Sequence, residues 1–175
     1  MSQEVRDNLM KAEEQLSRSR ADIKLVEWEN LHFTVKFLGE VSESTVEEAD
    51  KRLKTLPLRR MEVGVRGLGA FPDLRRPRVV WAGVAPQDLP SITNSGQQVI
   101  DALEGIGESD DRGFHPHITL GRVRSPRNLE ALTSVIRECS AKEFGRSTLS
   151  LLKLKSSDLT PSGPIYRDVK EYSLQ

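Results

Sequence analysis

Two short segments of the sequence carry the same pair of side chains with acid–base chemistry. His32 and Thr34 stand in the run His-Phe-Thr-Val, and His117 and Thr119 stand in the run His-Ile-Thr-Leu. In an extended strand successive side chains point to opposite faces, so each histidine shares a face with the threonine two residues later. Two such strands side by side would present two imidazoles and two hydroxyls. Because imidazole gains and loses a proton near neutral pH, this set suits acid–base work on a phosphodiester.

The repetition of the pair is what distinguishes this chain. A single His-x-Thr pair on a strand is ordinary, because imidazoles and hydroxyls commonly satisfy local hydrogen bonds. Here, however, two of the three histidines in the chain begin such a tetrad. Both segments are followed by a Gly-x-Val sequence, which begins at Gly39 in the first case and at Gly121 in the second. A serine-containing turn and an amphipathic helical pattern come next in both. We interpret this as a weak internal duplication.

The composition restricts the class of protein. A chain of 175 residues suits one domain, here with two lobes, that can bury a real core. Lys plus Arg and Asp plus Glu each number 26, so no overall basic field indicates nucleic-acid binding and any RNA contact must be local. We find neither an apolar run of bilayer length nor a signal peptide, and the single cysteine, Cys139, is predicted to be a buried structural residue. These features fit a cytoplasmic protein.

Helical and strand patterns alternate along the chain. Apolar residues recur at helical spacing over 3–18, 42–56, 90–105 and 129–139. Strands are predicted over 23–28, 31–38, 61–71, 79–84, 117–123, 148–155 and 165–172, with a loop at 110–113 and a turn at 157–164. The interleaving predicts an α+β architecture of two similar lobes that each contribute one histidine strand to a shared cleft.

These segments resemble the 2H phosphoesterases, and more closely the LigT-type RNA 2′,3′-cyclic phosphodiesterases, which are also called 2′-5′ RNA ligase-like proteins. The resemblance is carried by the stretches 29–41, 70–72, 77–84, 116–122 and 162–166. It implies a bilobal, duplicated fold in which two antiparallel-rich sheets flank a central cleft, with helices outside. Each lobe would contribute one His-x-Thr strand, around 31–38 and around 117–123.

The resemblance also implies a reaction, which is hydrolysis of a terminal 2′,3′-cyclic phosphate on RNA or nucleotides to a 2′-phosphomonoester. No metal or cofactor is expected, and joining of RNA ends through a 2′-5′ linkage would be a minor ligase activity. In the family the first-motif histidine protonates the leaving 3′-oxygen and the second activates water, which assigns these roles to His32 and His117. Thr34 and Thr119 would hold the nonbridging phosphate oxygens, and Arg122 matches a phosphate-contacting arginine.

The roles of several side chains near the two motifs are open to more than one interpretation. Simple alternation puts Arg122 on the face opposite His117, so a phosphate contact requires a bulge or turn at Gly121; otherwise Arg122 is a surface or salt-bridge residue. Phe114 precedes the second motif and is a candidate for stacking on the terminal base. His115 competes with His117, but only position 117 is followed by an apolar residue and a threonine, so His115 is expected to be structural.

A different class of function is also open. A non-catalytic module of the same fold would bind RNA ends or nucleotide phosphates without turning them over. Metal binding is not expected, because only three histidines and no cysteine cluster are present. We expect no membrane partner, and we expect the protein to be a monomer.

Relatives usually begin with a short apolar strand before the first helix, whereas this chain begins with the helix. A missing strand would expose a sheet edge.

Overall fold

The computed structural model describes residues 1–108, 113–160 and 163–175. In chain order its elements are α1 (Gln3–Arg18), β1 (Ile23–Leu25), a 3₁₀ turn (Trp28–Asn30), α2 (Glu43–Lys54), β2 (Met61–Phe71), β3 (Val79–Val84), α3 (Leu89–Ala102), β4 (Ile118–Val123), α4 (Leu129–Glu138), β5 (Glu143–Leu149), β6 (Leu151–Thr160) and β7 (Gly163–Ser173). The predicted α+β class is confirmed. None of the described helices is long and apolar enough to cross a bilayer. Residues 110–112 of the predicted loop, and Ser162 of the closing motif, lie outside the described residues.

The chain divides into two compact units. The first unit comprises Met1–Thr34, Glu62–Pro90 and Pro116–Thr148. The second unit comprises Val35–Met61, Ser91–His115 and Leu149–Gln175. Both His–Thr pairs therefore lie in the first unit, whereas the sequence predicted one pair in each lobe.

A five-stranded sheet, in the order β1-β4-β3-β2-β5, is the framework of the first unit. Strands β1 and β3 both pair antiparallel with β4, and β2 pairs antiparallel with β3. On one face of this sheet, every second side chain of the strands packs against helices α1 and α4 and forms the core. The members of this core include Leu9, Leu16, Val80, Ala82, Ile118, Leu120, Leu132 and Ile136. Strand residues between these buried positions point to the opposite face, because side chains alternate along a strand.

Helix α1 shows how the pattern in the sequence produces this core. Val5, Leu9, Ala12 and Leu16 recur at helical spacing, and all four are completely buried. The hydroxyl of Ser2 accepts the backbone N–H of Val5 and so caps the first turn. The predicted bounds 3–18 are those of the helix in the structure.

The second unit packs helices α2 and α3 with the β6–β7 hairpin. Its smaller core contains Ala49, Leu53, Leu58, Val99, Leu103 and Ile106. Leu152 and Tyr172 of the hairpin pack against this core. Tyr172 Oη also donates a 2.8 Å hydrogen bond to Asp50 of α2, and Lys54 donates another of 2.6 Å. The bonds from Lys54 and Tyr172 lower the pKa of Asp50, so the charged carboxylate ties the hairpin to α2.

Three predicted strands differ from the structure. The strand predicted over 23–28 ends at Leu25, and its last residue belongs to the 3₁₀ turn. The segment 31–38 forms a single β-bridge, between Phe33 and Ile118, because the chain passes into the second unit directly after Thr34. The strand predicted over 148–155 is divided between β5 and β6. Most of β5 was missed because it buries Phe144 and a serine and contains Gly145 at φ +107°, so it lacks an alternating apolar pattern.

Glu13 is a carboxyl group on the buried side of α1. Glu13 is 9% exposed, and its Oε1 is buried without a hydrogen-bond partner among the described residues. Burial raises the pKa of Glu13 from 4.5 to about 7, because the charged form is poorly solvated there. The folded state therefore holds this proton more tightly than the unfolded state, and stability falls as the pH rises through this range.

Above neutral pH, we expect the free energy of unfolding of Glu13→Gln to exceed that of the wild type by about 2–3 kcal/mol. The two proteins should differ little at about pH 5, where Glu13 is largely protonated in the folded state. Urea unfolding at about pH 5 and about pH 8 measures the difference. Glu14→Gln, which changes an exposed neighbour, is the control. An equal effect of Glu13→Gln at both pH values would contradict the prediction.

Candidate active site

The first histidine segment lies alongside β4 and is held there by one bridge. β1 pairs antiparallel with the second half of β4, the chain then makes the 3₁₀ turn at Trp28–Asn30, and Phe33 pairs antiparallel with Ile118. Ile118 is completely buried, and Phe33 packs against the same core. The residues on either side of Phe33 and Ile118 therefore point to the face of the sheet opposite the core.

This bridge brings the two His–Thr pairs together. In antiparallel register, the residue before one partner lies opposite the residue after the other. His32 therefore lies opposite Thr119, and Thr34 lies opposite His117. All four side chains are partly exposed and belong to the first unit. The arrangement places each imidazole beside a hydroxyl of its own segment and across from a hydroxyl of the other.

Hydrogen bonds orient the ring of His32. Its Nδ1 lies 2.5 Å from the carbonyl oxygen of Asn30, the last residue of the 3₁₀ turn. A carbonyl oxygen only accepts, so Nδ1 carries a proton and donates it. Nε2, the other ring nitrogen, lies 3.1 Å from Thr34 Oγ1. The turn thus points Nε2 toward the hydroxyl of its own motif.

His117 lies against two aromatic rings. Its ring centroid is 4.9 Å from that of Phe71, in an edge-to-face arrangement at 83°, and 6.4 Å from that of Trp81. The indole of Trp81 covers Gly69 so closely that a Cβ at position 69 would lie 2.2 Å from Trp81 Cζ2. Trp81 Nε1 is buried without a hydrogen-bond partner among the described residues. These ring contacts therefore help to position the imidazole of His117.

A bulge in β4 decides where Arg122 points. Trp81 pairs with Thr119 and Val79 pairs with Arg122, and the register shifts between these pairs so that β4 contributes one residue more than β3. Because Trp81 and Val79 are two residues apart, they share a face, and so do their partners. Arg122 thus lies on the face of Thr119 and His117. It is exposed and forms no salt bridge with another described residue.

Phe114 and His115 belong to the second unit. The half-buried ring of Phe114 packs on helix α3 at Gly96, where an added Cβ would lie 2.2 Å from Phe114 Cε1. His115 is exposed. The stacking role of Phe114 stays a prediction.

Sequence reasoning gave no role to Trp81 and Phe71, although both contact His117. The signal was present in β3, where alternation places Trp81 on the face opposite the buried Val80 and Ala82. A large aromatic side chain on the face away from the core calls for a functional explanation. The sequence could not show that β2 would place Phe71 beside the imidazole ring of His117 as well.

The family is settled by comparison with known proteins. Residues 1–81 and 85–166 match the family described as LigT like Phosphoesterase. The chain therefore belongs to the LigT-like phosphoesterase family, and the resemblance seen in the sequence is confirmed.

Individual relatives cover nearly the whole chain. An RNA 2′,3′-cyclic phosphodiesterase of Aeropyrum pernix is 38% identical over 165 residues, which is 93% of each chain. One of Methanothermobacter thermautotrophicus is 38% identical over 173 residues, which is 97% of this chain and 92% of the relative. The crystal structure of a Thermus thermophilus protein, TT0787, superposes with a TM-score of 0.73 at 27% identity, over 99% of this chain and 93% of that one. Escherichia coli LigT complexed with 3′-AMP has the same fold, with a TM-score of 0.68 at 22% identity, over 94% and 91% of the two chains.

Proposed function

We propose that the protein hydrolyses the terminal 2′,3′-cyclic phosphate of RNA or of small nucleotides to a 2′-phosphomonoester. The observation that carries this proposal is the Phe33–Ile118 bridge, which sets the two His–Thr pairs opposite each other on one face of the sheet. The names of the relatives from Aeropyrum pernix and Methanothermobacter thermautotrophicus support this substrate.

In the proposed mechanism the two histidines handle separate protons. His117 takes a proton from a water molecule, whose oxygen attacks phosphorus. The bond between phosphorus and the 3′-oxygen breaks, and His32 Nε2 delivers its proton to that oxygen. The products are a 2′-phosphomonoester and a free 3′-hydroxyl, and the histidines return to their starting states by exchange with solvent. The Asn30 carbonyl supports this role for His32, because it keeps a proton on Nδ1 and leaves Nε2 to react.

Charge that develops on the phosphate needs donors nearby. Thr34 and Thr119 each have a hydroxyl on the face of the histidines and donate to the two nonbridging oxygens. Arg122 adds a fixed positive charge on the same face, through the bulge in β4. If a 5′-hydroxyl attacks phosphorus in place of water, while the bond from phosphorus to the 3′-oxygen breaks in the same way, the same groups would join RNA ends through a 2′-5′ linkage as a minor activity.

The reaction as written needs no metal or cofactor. In the described part of the chain, no group of three or more His, Cys, Asp or Glu side chains is arranged to hold a metal ion. Metal independence, a cytoplasmic location and a monomeric state remain predictions from the sequence. Light scattering after gel filtration tests the last of these.

The test of the proposed function is hydrolysis of an oligonucleotide that ends in a 2′,3′-cyclic phosphate, in excess EDTA. We expect turnover to continue in EDTA, and ³¹P NMR to place the product phosphate on the 2′-oxygen. A 3′-phosphate product, or activity lost with EDTA, would contradict the mechanism. Binding of the oligonucleotide without any turnover would favour the non-catalytic module.

A further inference from the structure

Lys24 is a cation on the same face of the sheet as the His–Thr pairs. It lies in β1 directly opposite Arg122 of β4. Ile23 and Leu25, on either side of Lys24, pack against the core of the first unit. Lys24 therefore points away from the core. Its partner Arg122 shares that face, since directly opposed residues of an antiparallel pair lie on the same side.

The strand register arranges this face in parallel rows of side chains. The catalytic row, which is the nearer of the two rows that hold the His–Thr pairs, consists of His32, Thr119, Trp81 and Gly69, and the row of Thr34 and His117 lies beyond it. The cationic row consists of Lys24, Arg122, Val79 and Phe71. The catalytic and cationic rows are two residues apart along β3, which is roughly 6–7 Å. This separation is comparable to that of successive phosphates along an extended nucleic-acid strand.

Within the described residues, no ion pair balances the charges of the cationic row. Like charges directly opposite each other on neighbouring strands are destabilising. Neither Lys24 nor Arg122 forms a salt bridge with a residue in the described part of the chain. Asp22 lies two residues before Lys24, and its backbone carbonyl accepts the N–H of Arg124, so Asp22 lies opposite a further arginine. An anion bound between Lys24 and Arg122 would relieve their repulsion.

We propose that Lys24, beside Arg122, binds the phosphate on the 5′ side of the terminal nucleotide while the cyclic phosphate lies at the His–Thr pairs. This inference rests on the proposed function. In RNA that ends in a 2′,3′-cyclic phosphate, the next phosphate is attached to the 5′-oxygen of the same nucleotide. The cationic row lies at the matching distance from the catalytic row. The enzyme therefore prefers RNA ends and 5′-phosphorylated nucleotides to a nucleoside that carries the cyclic phosphate alone.

Two small substrates isolate the effect of this phosphate. Cytidine 2′,3′-cyclic phosphate is compared with the same compound that carries a 5′-phosphate, so any contribution from the base cancels. We expect the wild type to favour the 5′-phosphorylated compound roughly tenfold in kcat/KM, which is the value of one charge-assisted contact. In Lys24→Gln the ratio of the two kcat/KM values should fall toward one. Lys24→Arg keeps the charge and should keep the ratio, and so should Arg137→Gln, which removes an exposed arginine from α4.

Two outcomes would overturn the role of Lys24. One is a wild type that does not distinguish the two compounds, and the other is a Lys24→Gln variant with the wild-type ratio. Calorimetric binding of the products, cytidine 2′-monophosphate and cytidine 2′,5′-bisphosphate, tests the same preference without catalysis. Absence of turnover by the wild type would therefore count against the proposed function, while the ratio of the two dissociation constants still decides for or against Lys24.

Discussion

Alanine at either His32 or His117 should lower kcat/KM for a 2′,3′-cyclic phosphate substrate by about 10²–10⁴-fold, the usual value of a general acid or base. Each substitution removes one of the two proton transfers, from His32 Nε2 to the 3′-oxygen or from water to His117. Neither histidine is part of the hydrophobic core of the first unit. We therefore expect both variants to fold, which circular dichroism and thermal unfolding would verify before the rates are compared.

His115→Ala is the matched control for these variants. His115 is the third histidine of the chain, is exposed, and belongs to the second unit. Its removal should leave kcat/KM close to the wild-type value. A near-normal rate in His32→Ala or in His117→Ala would refute the assignment of two proton-transfer groups.

The pH dependence of kcat/KM provides a second check on the same pair. A base must be neutral and an acid must be protonated, so a bell-shaped profile is expected for the wild type. Activity falls on the acid side as His117 gains a proton and on the alkaline side as His32 loses one. The residual activity of each alanine variant should lack the corresponding limb.

The pairing of each histidine with the threonine of its own motif was predictable because it depends on local periodicity. Alternation along a strand is sufficient to place His32 with Thr34, and His117 with Thr119, on common faces. Helix α1 was predictable for the same reason, since Val5, Leu9, Ala12 and Leu16 mark its buried side over four turns. These patterns are properties of neighbouring residues and need no knowledge of the partner strand.

The relations between the pairs were not predictable from the sequence. The register that sets Phe33 against Ile118 joins segments far apart in the chain, and it depends on how the whole sheet packs. The bulge that turns Arg122 to the face of the histidines is likewise a property of the β3–β4 pair. Sequence analysis could say only that Arg122 required such an irregularity. The contact of His117 with Phe71 follows from the order of the strands, which local patterns do not determine.

Valine at Thr34 or at Thr119 should lower kcat by roughly 10²–10³-fold, the cost of removing one donor to a developing negative charge. Valine keeps the size and the β-branched shape of threonine, so it fits the same space and the hydroxyl alone is lost. Since the donor acts mainly on the transition state, KM should change far less than kcat. Serine at either position restores a hydroxyl and should restore most of the rate.

The two threonines are expected to differ in one respect. Thr34 Oγ1 lies 3.1 Å from His32 Nε2, so Thr34→Val removes a hydrogen-bond partner of the proposed acid as well as a phosphate donor. Thr34→Val should therefore also shift the alkaline limb of the pH profile, which belongs to His32. Thr148→Val, which changes an exposed threonine of the edge strand β5, is the control and should leave kcat at the wild-type value. If Thr34→Val and Thr119→Val reduced kcat no more than this control, the hydroxyls would have no part in stabilising the transition state.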